Sequence, residues 1–256
     1  MRANIAQRNN FNGLAMKVRV LVRARPLLRH EEGASAHTLL VDARKATVGV
    51  ASRHGVASHA VDAVCGVGAP QEEVFEAGRV DELVRAVLDG FHSTIFAYGQ
   101  TGSGKTFTME GYDYSAKGGR APTADFERTP PHKLGVTPRA VQLLFDAVAE
   151  RNAACAAAGD GARLRVMCSF VQVYREQVLD LLNPALPTSG DMAARGVPVG
   201  LKLRWARGRE FFVDNLYVGE APTAADALRL FQGGLGHKRM AETRMCAEAQ
   251  FLATQL

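Results

Sequence analysis

The sequence predicts an α/β fold, a mixed central sheet flanked by helices, and three observations carry that prediction. A short apolar run, STIFAY (93–98), passes directly into a glycine-rich loop, GQTGSGKT (99–106), after which a helical pattern resumes. Alternation in KVRVLVRAR (17–25) and the apolar run RLRVMCSFVQVY (163–174) mark two further strands. Helical spacing of apolar residues recurs within 70–90, 138–152 and 224–239. At 256 residues and 47% hydrophobic content, the chain can bury the core of one large domain.

Residues 1–16, rich in Asn and containing Gly13, read as a loose arm. Val18, Val20 and Val22 alternate with Arg19, Leu21 and Arg23, so a strand is expected over 17–24, ended by Pro26. HTLLVD and ATVGVA, within 34–64, suggest a small edge β-ribbon. Pro70 opens a helix, with Glu72 and Glu73 in its first turn; Phe75, Val80, Leu83, Val84, Val87 and Leu88 share a face, and Gly90 closes it. STIFAY is expected to be a buried strand. The stretch from Tyr112 to Pro138, crowded with Gly, Pro, Lys and Arg, is too long for a turn and reads as a surface insertion. A helix from Pro138 to Asn152 follows, then the strand 163–174, and EQVLDLL (176–182) as a short amphipathic turn. After a Pro/Gly loop (183–198), VGLKLRW, ARGRE and FFVDNL form a β-hairpin with a basic tip, and Ala224–Arg239 is the last helix.

The net charge of +5, carried mainly by Arg, favours acidic or phosphorylated partners but does not choose among them. There is no run of five like charges, no basic–aromatic interleaving and no stretch of about 18 apolar residues, so neither nucleic acid nor a membrane is an expected partner. The first thirty residues lack acids, as transit peptides do, yet they are poor in Ser and alternate like a strand, which argues against import. Cys65, Cys155, Cys168 and Cys246 show neither a CxxC pair nor metal-ligand spacing, and read as reduced thiols.

The chemistry concentrates in Gly99, Gln100, Thr101, Gly102, Ser103, Gly104, Lys105 and Thr106. Gly-x-x-x-x-Gly-Lys-Thr between a strand and a helix is a phosphate-binding loop, which makes the expected fold a P-loop NTPase-type sheet. Its glycines let backbone N–H groups curl around a β-phosphate, and Lys105 brings a charge to the β/γ oxygens. Thr106 offers a hydroxyl to Mg²⁺, and the helix N-terminus adds its positive end.

The flanks of the loop are more specific. FAYGQTGSGKTFTMEG closely resembles the nucleotide-loop signature of kinesin motor domains, and three other stretches agree in order. VRVLVRARPL resembles the first kinesin strand, SFVQVYREQVLDLLNP the pattern Tyr-x-Glu-x-x-x-Asp-Leu-Leu, and GGLGHKRMAETRM the helix leading to the first switch. The resemblance covers Lys17 to Met245, with 246–256 a divergent tail. It implies ATP and Mg²⁺ as ligands, with Arg23, Arg25 and Pro26 on one side of the adenine and Phe107 on the other. A solvated strand face remains the alternative for Arg23 and Arg25. It also implies a microtubule partner, a cytoplasmic, cytoskeletal setting, and a microtubule-facing role for Lys202, Arg204, Arg207 and Arg209. Those four charges equally suit a hairpin edge protected against aggregation.

Kinesins continue past this point with Asn-x-x-Ser-Ser-Arg-Ser-His, the first switch, and carry Asp-x-x-Gly in the second. No serine follows Ser189 here, and Asp-x-x-Gly occurs nowhere in the chain. Asp146 reads as helical and Asp180 as a packing or capping position, so no catalytic residue is assigned. The expectation is the N-terminal part of a kinesin motor domain, truncated before the first switch and incomplete on its C-terminal side. Alone, it would bind nucleotide weakly or not at all and would not hydrolyse it on microtubules. The strand 93–98 would lack its flanking hydrogen-bond partners. A non-motile module that binds microtubules or nucleotide is the second reading. With no neck or stalk, the oligomeric state stays open.

Overall fold

A computed structural model describes residues 18–27, 31, 38–111, 126, 129–174, 176–184, 200–208, 210–237 and 254–255. The arm 1–16, residues 112–125 and 127–128 of the expected 112–138 insertion, Arg209 and the approach to the first switch lie outside these residues. The chain forms two compact units that divide between Ser93 and Thr94.

In the first unit, β1 (Leu21–Arg23) pairs in parallel with β5 (Ala63–Cys65). Asp62 helps set this register by accepting the Val20 N–H at 2.9 Å. The expected strand is thus paired over only part of its length, and Val18 and Val20 remain exposed. The edge ribbon is an antiparallel meander of β2 (Leu39–Asp42), β3 (Thr47–Ser52) and β4 (Gly55–Ala60). The helix expected after Pro70 divides into α1 (Gln71–Ala77) and α2 (Val80–Leu88). The cause is local: Arg79 takes a left-handed φ of 53° after Gly78, which turns α2 so that Val80 and Val84 are buried along with Val74.

The second unit begins with β6, only Thr94–Ile95, and continues through α3 (Lys105–Met109) and a 3-10 turn at Pro131–Lys133 to α4 (Val136–Ala157). STIFAY is therefore not a buried strand: Phe96 is 58% and Tyr98 89% exposed. Nor does β6 lack a ladder partner, because Thr254–Gln255 (β13) pairs with it antiparallel. α4 buries Ala140, Leu144, Ala147 and Val148, and carries Asp146 as its periodicity indicated.

The run 163–174 is interrupted at Ser169–Phe170. β7 (Val166–Cys168) pairs with β12 (Gly219–Ala221), whereas β8 (Val171–Tyr174) turns back on β9 (Gln177–Asp180). Residues 177–180 are consequently a strand rather than an amphipathic turn. Glu176, at φ 65°, closes a two-residue connection that brings Tyr174 opposite Gln177. β10 (Leu203–Ala206) and β11 (Glu210–Val213) form the expected hairpin.

The last helix, α5 (Ala224–His237), packs against α4 and β12. Thr223 and Asp226 cap its start reciprocally: the Thr223 hydroxyl donates to Asp226 at 2.6 Å and accepts the Asp226 N–H at 3.2 Å. Phe231 on α5 stacks on Phe126 (centroids 5.5 Å apart) and meets Phe170 at 5.2 Å, giving this unit an aromatic core.

Among the described residues the strands make six separate sheets of two or three strands, not one mixed central sheet. The physical reason is that most pairings are between neighbours in sequence, whose short connections satisfy the ladder locally. Strands as short as β1 and β6 leave few backbone groups with which to recruit further partners.

Candidate functional site

The phosphate loop runs from β6 to α3 within the second unit. Its first turn closes through the Ser103 N–H, which donates to the Gln100 carbonyl at 3.2 Å. Gly102 (φ 75°) and Gly104 (φ 95°) hold left-handed conformations that strain any residue with a side chain. At Gly99 an added Cβ would sit 2.5 Å from Ser103 Oγ, so that hydroxyl would have to turn away. The loop is folded tightly across its own base, and Ser103 Oγ is buried without a hydrogen-bond partner.

Lys105 reaches back across this fold and donates from Nζ to the carbonyls of Gly99 (2.8 Å) and Gln100 (2.9 Å). An ammonium held by two neutral carbonyls is poised for exchange, because phosphate oxygens make stronger, charge-assisted bonds. Thr106, half-buried, is the second residue of α3. α3 has only five residues, so few peptide dipoles align behind the loop. Attraction for phosphate therefore rests on Lys105 and the turn backbone more than on the helix end.

The residues present fit a nucleotide triphosphate, and fit Mg²⁺ in a limited way. Thr106 is the one expected donor, and no group of three or more His, Cys, Asp or Glu among the described residues could hold a metal ion. Such a site suits Mg²⁺ taking its remaining ligands from phosphates and water.

Beyond the loop, two contacts set where α3 points. The Gly135 N–H donates to the Glu110 carbonyl at 3.2 Å, and the Gly111 backbone lies against Lys133–Gly135. Arg139 secures the same turn by donating to the Leu134 and Pro131 carbonyls, both at 2.9 Å. The Glu110 side chain is fully buried. Sequence reasoning missed Glu110 and Gly135; the only signal was Gly135 placed just before the helical periodicity.

Arg23, Arg25 and Pro26 belong to the first unit, the loop and Phe107 to the second. Arg23 donates to Gln71 Oε1 and the Ala69 carbonyl, each at 2.9 Å, tying the end of β1 to the start of α1. Burial lowers its pKa from the ordinary arginine value. Gln71, itself buried, was not singled out from the sequence. Arg25 makes a two-pronged pair with Glu31 at 2.7 and 2.6 Å, a bond that raises its pKa. Pro26 is exposed, and Phe107 is 43% exposed.

On the hairpin, Lys202 and Arg207 are exposed, and Arg204 pairs with Asp214 at 2.5 Å. Arg209 lies outside the described residues. Trp205 and Phe211 stand opposite each other, 62% and 73% exposed. Asp180 is buried and accepts the N–H groups of Leu182 (3.0 Å) and Tyr217 (2.7 Å), a structural role that matches its expected capping position.

The family model described as the kinesin motor domain matches residues 23–250. The chain belongs to the kinesin motor-domain family. Among curated kinesins, it is 33% identical over 233 residues to kinesin-like protein KIF15 of Strongylocentrotus purpuratus, covering 91% of this chain and 14% of that protein. It is 34% identical to kinesin-like protein KIN-12B of Oryza sativa subsp. japonica over 91% of this chain and 19% of the relative. It is 31% identical to kinesin-related protein 5 of Dictyostelium discoideum over 89% and 20% respectively. This kinesin chain thus spans between about a seventh and a fifth of the length of these relatives. No described helix is long and apolar enough to cross a membrane.

Proposed function

We propose that this chain is the nucleotide-gripping part of an ATP-driven microtubule motor, working in the cytoplasm on the cytoskeleton. Residues 99–106 hold the phosphates of ATP, Thr106 contributes its hydroxyl to Mg²⁺, and Phe107 lies against the adenine. Bound Mg²⁺ neutralises charge on the β- and γ-phosphates. The observation that carries the reading is Lys105, folded into the loop on the carbonyls of Gly99 and Gln100. Phosphate oxygens would replace those carbonyls, moving Nζ without refolding the backbone.

The 256 residues contain no Asp-x-x-Gly and no serine beyond Ser189, so this chain by itself grips nucleotide without positioning an attacking water. Phosphate release measured with and without microtubules tests both halves of the proposal. We expect weak but saturable binding of a fluorescent ATP analogue that Lys105→Ala weakens at least tenfold, and no microtubule-stimulated turnover. Stimulated turnover that Lys105→Ala abolishes would overturn the claim of inactivity; analogue binding indifferent to Lys105→Ala would overturn the site.

A second reading, attachment to microtubules without hydrolysis, is favoured by the hairpin, where exposed Lys202 and Arg207 lie on either side of the Trp205–Phe211 pair. Nucleotide-independent co-sedimentation, lost on neutralising Lys202 and Arg207 but kept in Arg204→Gln, would support it. Co-sedimentation unaffected by the first change would exclude the hairpin.

A further inference from the structure

The strand that delivers the phosphate loop is held by a part of the chain outside the family match. β6 is two residues long, and among the described residues its ladder partner is β13, with Thr254 opposite Ile95 and Gln255 opposite Thr94. The kinesin match covers residues 23–250, and β13 follows it. Pairing stops at Ile95. The next residues, Phe96 and Tyr98, are exposed, and four positions beyond Ile95 stands Gly99, whose carbonyl receives Lys105.

From this juxtaposition we infer that residues 254–255 act as a clip strand. By adding to the edge of β6, they order the entry to the phosphate loop, and nucleotide affinity depends on them. An isolated two-residue strand has nothing to hold its backbone straight; an antiparallel partner supplies inter-strand bonds perpendicular to it. Fixing Thr94 and Ile95 anchors one end of the loop, and α3 packed against α4 anchors the other. The loop between the anchors then loses less freedom when it closes on phosphate. The inference rests on the proposed ATP site only for its effect on affinity; the clip itself is a backbone contact that can be measured without nucleotide.

The test replaces both clip residues by proline, Thr254→Pro with Gln255→Pro. This removes whichever N–H faces β6 and bars the segment from an inner ladder position. The control is Thr254→Val with Gln255→Val, which keeps strand propensity and the backbone donors. In hydrogen exchange of the nucleotide-free chain, the proline variant should speed exchange at the 94–95 amides about tenfold, the factor matching loss of roughly one backbone hydrogen bond. Exchange in α4 and α5 should not change, which shows that the second unit has folded. The valine variant should behave like the parent. Affinity for a fluorescent ATP analogue should fall severalfold in the proline variant alone. Unchanged exchange at 94–95 would overturn the clip. Faster exchange with unchanged affinity would overturn its link to the loop. If the parent binds no analogue, the ATP reading fails while the exchange experiment still decides the clip.

Discussion

Gly111→Ala tests whether the backbone contact behind the phosphate helix sets the position of Lys105 and Thr106. Gly111 follows α3 with φ 87°, and a Cβ there would lie 2.1 Å from the Lys133 carbonyl oxygen and 2.3 Å from the Gly135 nitrogen. Both atoms are backbone, so no side chain can swing aside, and the two segments must part by about 1 Å in a closely packed region. The left-handed conformation costs alanine about 1–2 kcal/mol. Relieving the overlap costs about 1–3 kcal/mol more. Together these come to about 2–5 kcal/mol, a large share of the ~5–15 kcal/mol that stabilises a typical domain. Separation also strains the Gly135-to-Glu110 bond, so α3 should shift. Urea unfolding measures the stability loss, and titration with a fluorescent ATP analogue measures the effect on the loop. Gly161→Ala is the control, since its added Cβ meets nothing within 4 Å and its φ is not in the left-handed region. It should be neutral or slightly stabilising. If Gly111→Ala were as stable as Gly161→Ala, the argument from this contact would be refuted.

Other changes probe separate links. Asp180→Ala deprives the Leu182 and Tyr217 N–H groups of their acceptor and should cost about 2–4 kcal/mol in denaturant unfolding. Asp180→Asn keeps one acceptor oxygen and should cost less; equal stability of all three proteins would remove Asp180 from its structural role. The hydrogen bond from Thr223, then that from Arg229, lowers the Asp226 pKa below its ordinary 3.8. The support this carboxylate gives α5 is therefore present above pH 3.8 and is lost as pH falls through the lower folded value. Amide exchange in the first turn of α5 should accelerate over that acid range, and Thr223→Val should weaken the response. Burial pushes the Cys65 thiol pKa up, so Cys65 should react with a thiol reagent only on unfolding, whereas the less buried Cys155 should react in the native protein. Equal native reactivity of the two would contradict the burial of Cys65.

Much of the local structure was legible because short-range chemistry governs it. The glycine spacing of 99–106 demanded a turn that only Gly tolerates, and Gly102 and Gly104 take left-handed φ values there. The basic hairpin, the apolar periodicity of α4 and α5, and the helical setting of Asp146 followed from period and turn chemistry. The ordered kinesin motifs identified the family, as the match over 23–250 shows.

Tertiary structure decided what depends on which partner each group meets. STIFAY looks buried by composition, yet burial requires neighbouring strands, and Phe96 and Tyr98 stay exposed where β6 has a two-residue partner. Nothing in residues 176–182 announces β9, because its strand character comes from pairing with β8. A guanidinium in a strand motif reads as available, but Arg23 is engaged with Gln71 and Ala69, and Arg25 with Glu31. The sequence alone determined which residues can curl around a phosphate and to which family the chain belongs. Only the folded chain decided which strands pair, which charges are already bonded, and how β6 finds a partner in residues 254–255. Those outcomes turn on which backbone and charged groups meet, some across long separations, as Arg23 with Gln71 and β6 with β13, and some nearby, as β8 with β9 and Arg25 with Glu31; residue order by itself does not specify such meetings.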